Sequence, residues 1–291
     1  MGSHHASTTA TPSPAKAGAQ SRWPSRVRTP EKYRHWAPAS AGERRRVGAV
    51  LLTLLLSLAA CDGSEPLIAR EARKIEPGRF PAADRPVATI VSSRWSTEEA
   101  RDRVNESGRV MDLADIRPGM TVADIGAGEG YYTIRLARAV GADGRVVAQD
   151  IVPEVRDQLA ERVLRERLNN VSVRLGEPAD PKLPANSFDR VMMVHMYHEI
   201  SDPYEFLWRL RPSLKPDGQV VVVDANRPTQ NHGTPPALLR CEFAAVGYRQ
   251  PAFIETPNAG GYLAMFQPSG ERPEPGAIKA CRVNGAAPTK G

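Results

Sequence analysis

The stretch VADIGAGEGYY, residues 122–132, decides the fold of this chain. Its first four residues predict the end of a short buried strand, and Gly126, Gly128 and Gly130 predict a tight loop before a helix that begins near Tyr132. Because glycine has no Cβ, a ligand can approach the backbone of such a loop closely. The stretch therefore predicts a ligand-binding strand–loop–helix junction in an α/β fold.

Strands and helices alternate on both sides of this junction. The predicted strands cover 121–125, 145–150, 171–175, 190–195 and 219–224, and the predicted helices cover 132–140, 153–168, 203–214 and 235–246. A helix over 100–116 precedes them, after the capping box at 96–99, and strands over 252–255 and 262–266 follow as an antiparallel hairpin. Nearly continuous apolar strands indicate a parallel sheet covered on both faces. We expect a doubly wound, mostly parallel seven-stranded sheet with an antiparallel C-terminal hairpin, in one domain over 96–268 with a tail over 269–291.

The spacing of the glycines separates two classes of nucleotide site. A dinucleotide-binding loop needs glycine at the first, third and sixth positions, and the sixth position from Gly126 is Tyr131. An oxidoreductase is therefore the weakest interpretation. The spacing acidic-x-Gly-x-Gly-x-Gly, which starts at Asp124, resembles motif I of class I S-adenosylmethionine-dependent methyltransferases, in particular the ubiquinone/menaquinone C-methyltransferase group. The resemblance covers roughly residues 97–225.

This resemblance implies a Rossmann-like methyltransferase with S-adenosyl-L-methionine as its cofactor. The implied cofactor-binding residues in the loop are Asp124, Gly126, Ala127, Gly128 and Gly130.

Two further positions complete the expected cofactor site. Asp150 ends the next strand, where a carboxylate can accept both ribose hydroxyls, and the alternative is a helix N-cap. The resemblance places Ile151 on the adenine face. Relatives carry Gly-Asp-Ala after the third strand, whereas this chain has Glu177 and Pro178 there, so we expect the carboxylate of Glu177, or alternatively that of Asp180, to accept from the adenine amino group.

Histidines after the fourth strand are the candidates for catalysis. His195 and His198 can titrate near neutrality and lie where ligands gather in open α/β sheets, although structural roles are an alternative. Asp224 ends the fifth strand, and His232 lies in the loop after it. A metal site from His195, His198 and Glu199 matches no zinc template by its spacing, so no metal is expected.

Charge is concentrated at the N-terminus. Residues 1–60 carry nine Lys and Arg against two Glu, whereas residues 61–291 carry 30 basic and 31 acidic residues. The high overall pI of about 9.4 therefore belongs to the leader. We expect no nucleic-acid partner, because the folded part has no bulk positive charge.

The leader also carries an export pattern. We expect residues 1–43 to be a disordered leader or to follow a mis-assigned start codon, and residues 44–60 join three arginines to an apolar run typical of a signal peptide. The four residues 58–61, LAAC, resemble the bacterial lipobox, which implies lipidation of Cys61. We then expect residues 61–95 to form a tether, and the resemblance implies an inner-membrane lipoprotein whose domain faces the periplasm. The alternative is an uncleaved anchor with a cytoplasmic domain.

Export bears on the two remaining cysteines and on the function. In an oxidising compartment Cys241 and Cys281 can form a disulfide, and otherwise both are thiols. The first functional hypothesis is a membrane-tethered methyltransferase with a small-molecule or lipid acceptor. The second is an exported, non-catalytic binding protein, because S-adenosylmethionine is made in the cytoplasm. The oligomeric state is left open.

Overall fold

In the computed structural model of the chain, which describes residues 80–90, 97–256 and 261–282, the strands form a single seven-stranded sheet. The strands are β1 Thr121–Ile125, β2 Arg145–Asp150, β3 Val171–Leu175, β4 Phe188–Val194, β5 Leu214–Asp224, β6 Tyr248–Thr256 and β7 Gly261–Pro268. Their order across the sheet is β3-β2-β1-β4-β5-β7-β6. β1 to β5 pair in parallel, and β7 is antiparallel to both β5 and β6. The predicted fold class, including the antiparallel C-terminal pair, is confirmed.

Helices cover both faces of this sheet. They are α1 Glu98–Arg103, α2 Glu106–Leu113, α3 Tyr131–Val140, α4 Pro153–Arg165, α5 Pro203–Leu210 and α6 Pro236–Ala245. Side chains alternate between the faces of a strand. Val122 and Met192 accordingly pack in one apolar cluster with residues of α2 and α3, while Ala123 and Val191 pack in another with residues of α5 and α6.

The helix predicted over 100–116 is wrong as a single element. The chain breaks between α1 and α2 at Asn105, whose φ of 49° is left-handed, a conformation that asparagine tolerates better than most residues. The N-cap of α1 is Thr97, whose hydroxyl accepts from the N–H of Ala100 at 3.3 Å. The break turns α2 so that Glu106 is buried.

Other boundaries differ by a few residues. α5 ends at Leu210, four residues before its predicted end, and the chain continues as a short 3₁₀ turn over Arg211–Ser213. Pro212 has no backbone N–H, so the helical hydrogen bonds cannot continue through it, which accounts for the early end. β5 and β6 both begin earlier than predicted.

Residues 80–90 lie against the domain, whereas the predicted tether extended to residue 95. The ring of Phe80 packs edge-on against Trp208, with centroids 5.6 Å apart. Arg85 Nε donates to Glu242 Oε1 at 2.8 Å, and both side chains are fully buried. The contact segment, residues 80–90, therefore belongs to the folded unit.

The C-terminal segment is also attached. Cys281, which falls within the predicted tail, is buried and forms a disulfide with Cys241 of α6, with Cα atoms 6.0 Å apart. The leader, the signal peptide and Cys61 lie outside the described residues. Within the described ranges, no helix is long and apolar enough to cross a membrane.

Candidate functional site

The glycine loop between β1 and α3 has left-handed backbone at each glycine. The φ angles of Gly126, Gly128 and Gly130 are 65°, 55° and 90°. An added Cβ would lie 3.0 Å from Met196 at Gly126 and 2.4 Å from a methyl of Leu159 at Gly130, but it would meet no atom within 4 Å at Gly128. The outer glycines therefore allow close packing, and the middle one faces open space in which a ligand can contact the backbone.

Asp150 ties this loop to the end of β2. Its Oδ2 accepts from the N–H of Gly128 at 3.0 Å, and its Oδ1 accepts from the N–H of Val152 at 3.0 Å. Val152, and not Asp150, is the N-cap of α4. A carboxylate has about four lone-pair sites, so each oxygen retains one for a ribose hydroxyl. Ile151 follows half-buried at the same edge.

Asp124 lies behind the loop. Its Oδ2 accepts from the hydroxyl of Thr133 at 2.6 Å, which joins β1 to the first turn of α3. Burial raises the pKa of Asp124 to about 6, although the hydrogen bond from Thr133 acts in the opposite direction. These contacts give Asp124 a role in holding the loop, and direct contact with a cofactor stays a prediction.

Glu177 lies at the surface after β3. Its side chain is 63% exposed and forms an ion pair with Lys182 at 3.1 Å. Its contact with the adenine amino group stays a prediction. The structure also brings Gln149 to Gly176, where an added Cβ would overlap the Gln149 amide. Gln149 Nε2 is buried without a hydrogen-bond partner in the described part of the chain.

Gln149 was missed by sequence reasoning, although a polar residue inside the apolar strand RVVAQD was a usable signal. An unsatisfied buried donor one residue before Asp150 fits a polar ligand at this edge. Together with the open space at Gly128 and the free lone pairs of Asp150, it shows that the residues present fit S-adenosylmethionine.

His195 follows β4 directly and belongs to a cluster with α2. Its φ is 55°, and its Nε2 lies 3.6 Å from Glu106 Oε1. Glu106 also accepts from the hydroxyl of Tyr132 at 3.0 Å and from Arg101 at 2.6 Å. Burial would raise the pKa of Glu106, but His195 and Arg101 outweigh it and lower this pKa to about 2. Nothing in the sequence of α2 distinguishes Glu106 from a surface glutamate.

His198 belongs to a different cluster. It is buried, and its Nδ1 lies 3.1 Å from both carboxylate oxygens of Asp224, which is itself fully buried. The ring of His232 stands edge-on to that of His198, with centroids 5.4 Å apart. The two predicted catalytic histidines therefore do not share one site.

The group of possible metal ligands differs from the one considered from the sequence, which was His195, His198 and Glu199. Among the described residues, the side chains brought within 4.8 Å of one another are those of His198, Glu199 and His232, with His232 in place of His195. This proximity required the loop after β5 to fold back toward β4, which sequence spacing does not reveal.

Comparisons with known proteins agree with this geometry. Residues 122–218 match the family described as Methyltransferase domain. The chain is 42% identical over 113 residues to the nocamycin O-methyltransferase of Saccharothrix syringae, which covers 38% of this chain and 40% of that protein. It is 30% identical over 122 residues to a ubiquinone/menaquinone biosynthesis C-methyltransferase of Teredinibacter turnerae, covering 40% of this chain and 48% of that one. The matches thus span about half or less of these curated relatives.

A solved structure extends the likeness from sequence to fold. A SAM-dependent methyltransferase from Aquifex aeolicus superposes with a TM-score of 0.52 at 26% identity and covers 57% of this chain and 90% of that one. These findings confirm S-adenosylmethionine as the predicted cofactor, and its contact with the glycine loop stays a prediction. The chain therefore carries a methyltransferase domain with the fold of S-adenosylmethionine-dependent methyltransferases.

Proposed function

We propose that the protein transfers the methyl group of S-adenosylmethionine to a small-molecule or lipid acceptor bound at the C-terminal ends of β4 and β5. The observation that carries this proposal is the Asp150 carboxylate, which is fastened to Gly128 and still has lone pairs for a ribose. The curated relatives include an O-methyltransferase and a quinone-pathway C-methyltransferase, which favours a hydroxylated or quinol-type acceptor.

The cofactor supplies a methyl carbon on a sulfonium sulfur, which leaves as a neutral thioether when the acceptor forms its bond to that carbon. The residues of this chain must then orient the acceptor and remove its proton. We infer that His195 takes this proton, because it directly follows β4 and adjoins Met196, which packs on the cofactor loop. Glu106, 3.6 Å away and ionised at neutral pH, would stabilise the imidazolium that forms.

A binding experiment tests the cofactor site. Isothermal titration of the full chain with S-adenosylmethionine should show one site, and Asp150→Ala should weaken binding roughly 100-fold, because two hydrogen bonds to a charged group are lost. Asp143→Ala, an exposed aspartate in the turn before β2, is the matched control and should bind normally. Absence of binding by the wild type would overturn the proposal.

A kinetic experiment tests the base. With hydroxylated and quinol-type acceptors, His195→Gln should lower kcat by roughly 10² to 10⁴ and leave the cofactor Kd unchanged. Tight cofactor binding without turnover on any such acceptor would favour the alternative, an exported non-catalytic binding protein.

We also propose that the domain is exported and anchored through a lipidated Cys61. The LAAC sequence at 58–61 supports this, and the disulfide between Cys241 and Cys281 is typical of an oxidising compartment. Mass spectrometry of the membrane-bound protein should find an N-terminus at Cys61 carrying lipid, and Cys61→Ser should abolish both. An intact N-terminus in the wild type would favour an uncleaved anchor and a cytoplasmic domain.

A further inference from the structure

Three side chains of types that can bind metal ions lie close together in the loops after β4 and β5. His198 and Glu199 come from the short 3₁₀ turn Tyr197–Glu199, and His232 follows the turn Thr229–Asn231. One ligand atom from each lies within 4.8 Å of the others. A four-coordinate ion with bonds of about 2.1 Å holds its ligand atoms about 3.4 Å apart. Side-chain rotations that move these atoms by about 1 Å would therefore bring all three within coordination distance of one ion.

His198 is oriented for such a role by Asp224. The oxygens of Asp224 accept from the N–H of Ala225 at 2.8 Å and the hydroxyl of Thr234 at 2.7 Å, as well as from His198. An ionised carboxylate can only accept, so Nδ1 of His198 carries the proton and Nε2 presents its lone pair. A histidine that donates its second N–H to a carboxylate is the usual arrangement around protein-bound metals.

His232 is held beside His198 at a conformational cost. Its backbone is left-handed, with φ 54° and ψ 60°, a conformation that is unfavourable for a non-glycine residue. The surrounding loop enforces this conformation from both sides. The hydroxyl of Thr229 donates to the carbonyl of Pro86 in the contact segment at 2.6 Å, and the hydroxyl of Thr234 donates to Asp224. Such strain persists where a fixed side-chain position is needed.

We propose that His198, Glu199 and His232 bind a divalent cation of the zinc class, with Asp224 as the carboxylate that orients His198. Two neutral imidazoles and one carboxylate form a three-ligand set that leaves a fourth position open, as in sites where zinc binds a further small molecule. The charges of Glu199 and Asp224 together balance the cation. No residue of the cofactor loop takes part, so the proposal stands independently of the proposed methyl transfer.

The test uses the full chain in a His4→Gln/His5→Gln background, so that the N-terminal histidines do not bind the probe. After chelation and dialysis, Zn²⁺ is titrated calorimetrically and Co²⁺ by visible absorption. We expect one equivalent of each, with the intense Co²⁺ bands typical of four-coordinate sites. Glu199→Gln and His232→Gln should lose this site, whereas His195→Gln should keep it. Asp224→Asn should weaken binding about 10- to 100-fold.

Cofactor titration of His232→Gln, in parallel, shows whether the domain around the altered loop is folded, and the nearly isosteric Glu199→Gln provides a second variant. Absence of Zn²⁺ binding by the parent chain would overturn the proposal. So would equal stoichiometry and identical Co²⁺ spectra in the parent and both loop variants, or loss of the site in His195→Gln. Failure of the chain to bind S-adenosylmethionine would count against the proposed function alone.

Discussion

Breaking the buried ion pair between the contact segment and α6 should lower the free energy of unfolding substantially. Glu242 accepts from Arg85 at 2.8 Å through Oε1 and from the hydroxyl of Tyr197 at 2.7 Å through Oε2. Neither Arg85 nor Glu242 exposes any part of its side chain. Glu242→Gln removes the negative charge and keeps the shape, which leaves the guanidinium buried without a counter-charge.

Breaking a buried pair from one side costs about 3–5 kcal/mol of unfolding free energy. With a urea slope of about 3 kcal/mol/M, the midpoint should fall by about 1–1.7 M. The matched control is Glu205→Gln, which breaks the partly exposed pair of Glu205 with Arg209 on α5. Its cost should stay near 0.3–0.5 kcal/mol, because exposed i,i+4 pairs contribute little.

A double-mutant cycle with Arg85→Met isolates the pair itself. The double variant should lose less stability than the sum of the single variants, because removal of both charges leaves no unpaired ion. The reasoning would be refuted if Glu242→Gln lowered the unfolding free energy by less than about 1 kcal/mol, or if the effects of the two single variants simply added. Either result would mean that this ion pair does not hold the contact segment to the domain.

Three further predictions concern pH, redox state and the cofactor loop. The pKa of Glu106 is about 2 in the folded protein and 4.5 in the unfolded chain. Ionised Glu106 should therefore stabilise the fold fully above about pH 5, and this stabilisation should be lost as the pH falls toward 2. The urea midpoint should show this decrease in acid, and Glu106→Gln should make the decrease smaller. Reduction of the Cys241–Cys281 disulfide, whose cysteines are 40 residues apart, should cost about 4 kcal/mol by loop entropy, measured as the urea midpoint with and without dithiothreitol. Gly130→Ala should lower both the Tm and the cofactor affinity, because the added Cβ would overlap Leu159 of α4. The control is Gly119→Ala, since Gly119 has a φ of 85° but no atom within 4 Å of an added Cβ. It should lose only the backbone cost of about 1–2 kcal/mol of unfolding free energy.

The elements themselves could be predicted because their signals are local. Apolar runs of strand length, the loop glycines and Pro at the start of α4 and α5 each reflect interactions within a few residues. The break at Asn105 could not be predicted, because the periodicity continues through it and only the burial of Glu106 against Tyr132 decides the direction of α2.

The amino-acid sequence by itself determined the class of fold and the kind of cofactor, because a strand that contains Asp124 and is followed by three spaced glycines permits few backbone paths. The tertiary structure alone decided the polar partners: His195 with Glu106, His198 with Asp224 and His232, and Arg85 with Glu242. These partners are separated by 26 to 157 residues. Each pair depends on which strand ends and loops the sheet order brings together, and no local pattern in the chain encodes that proximity.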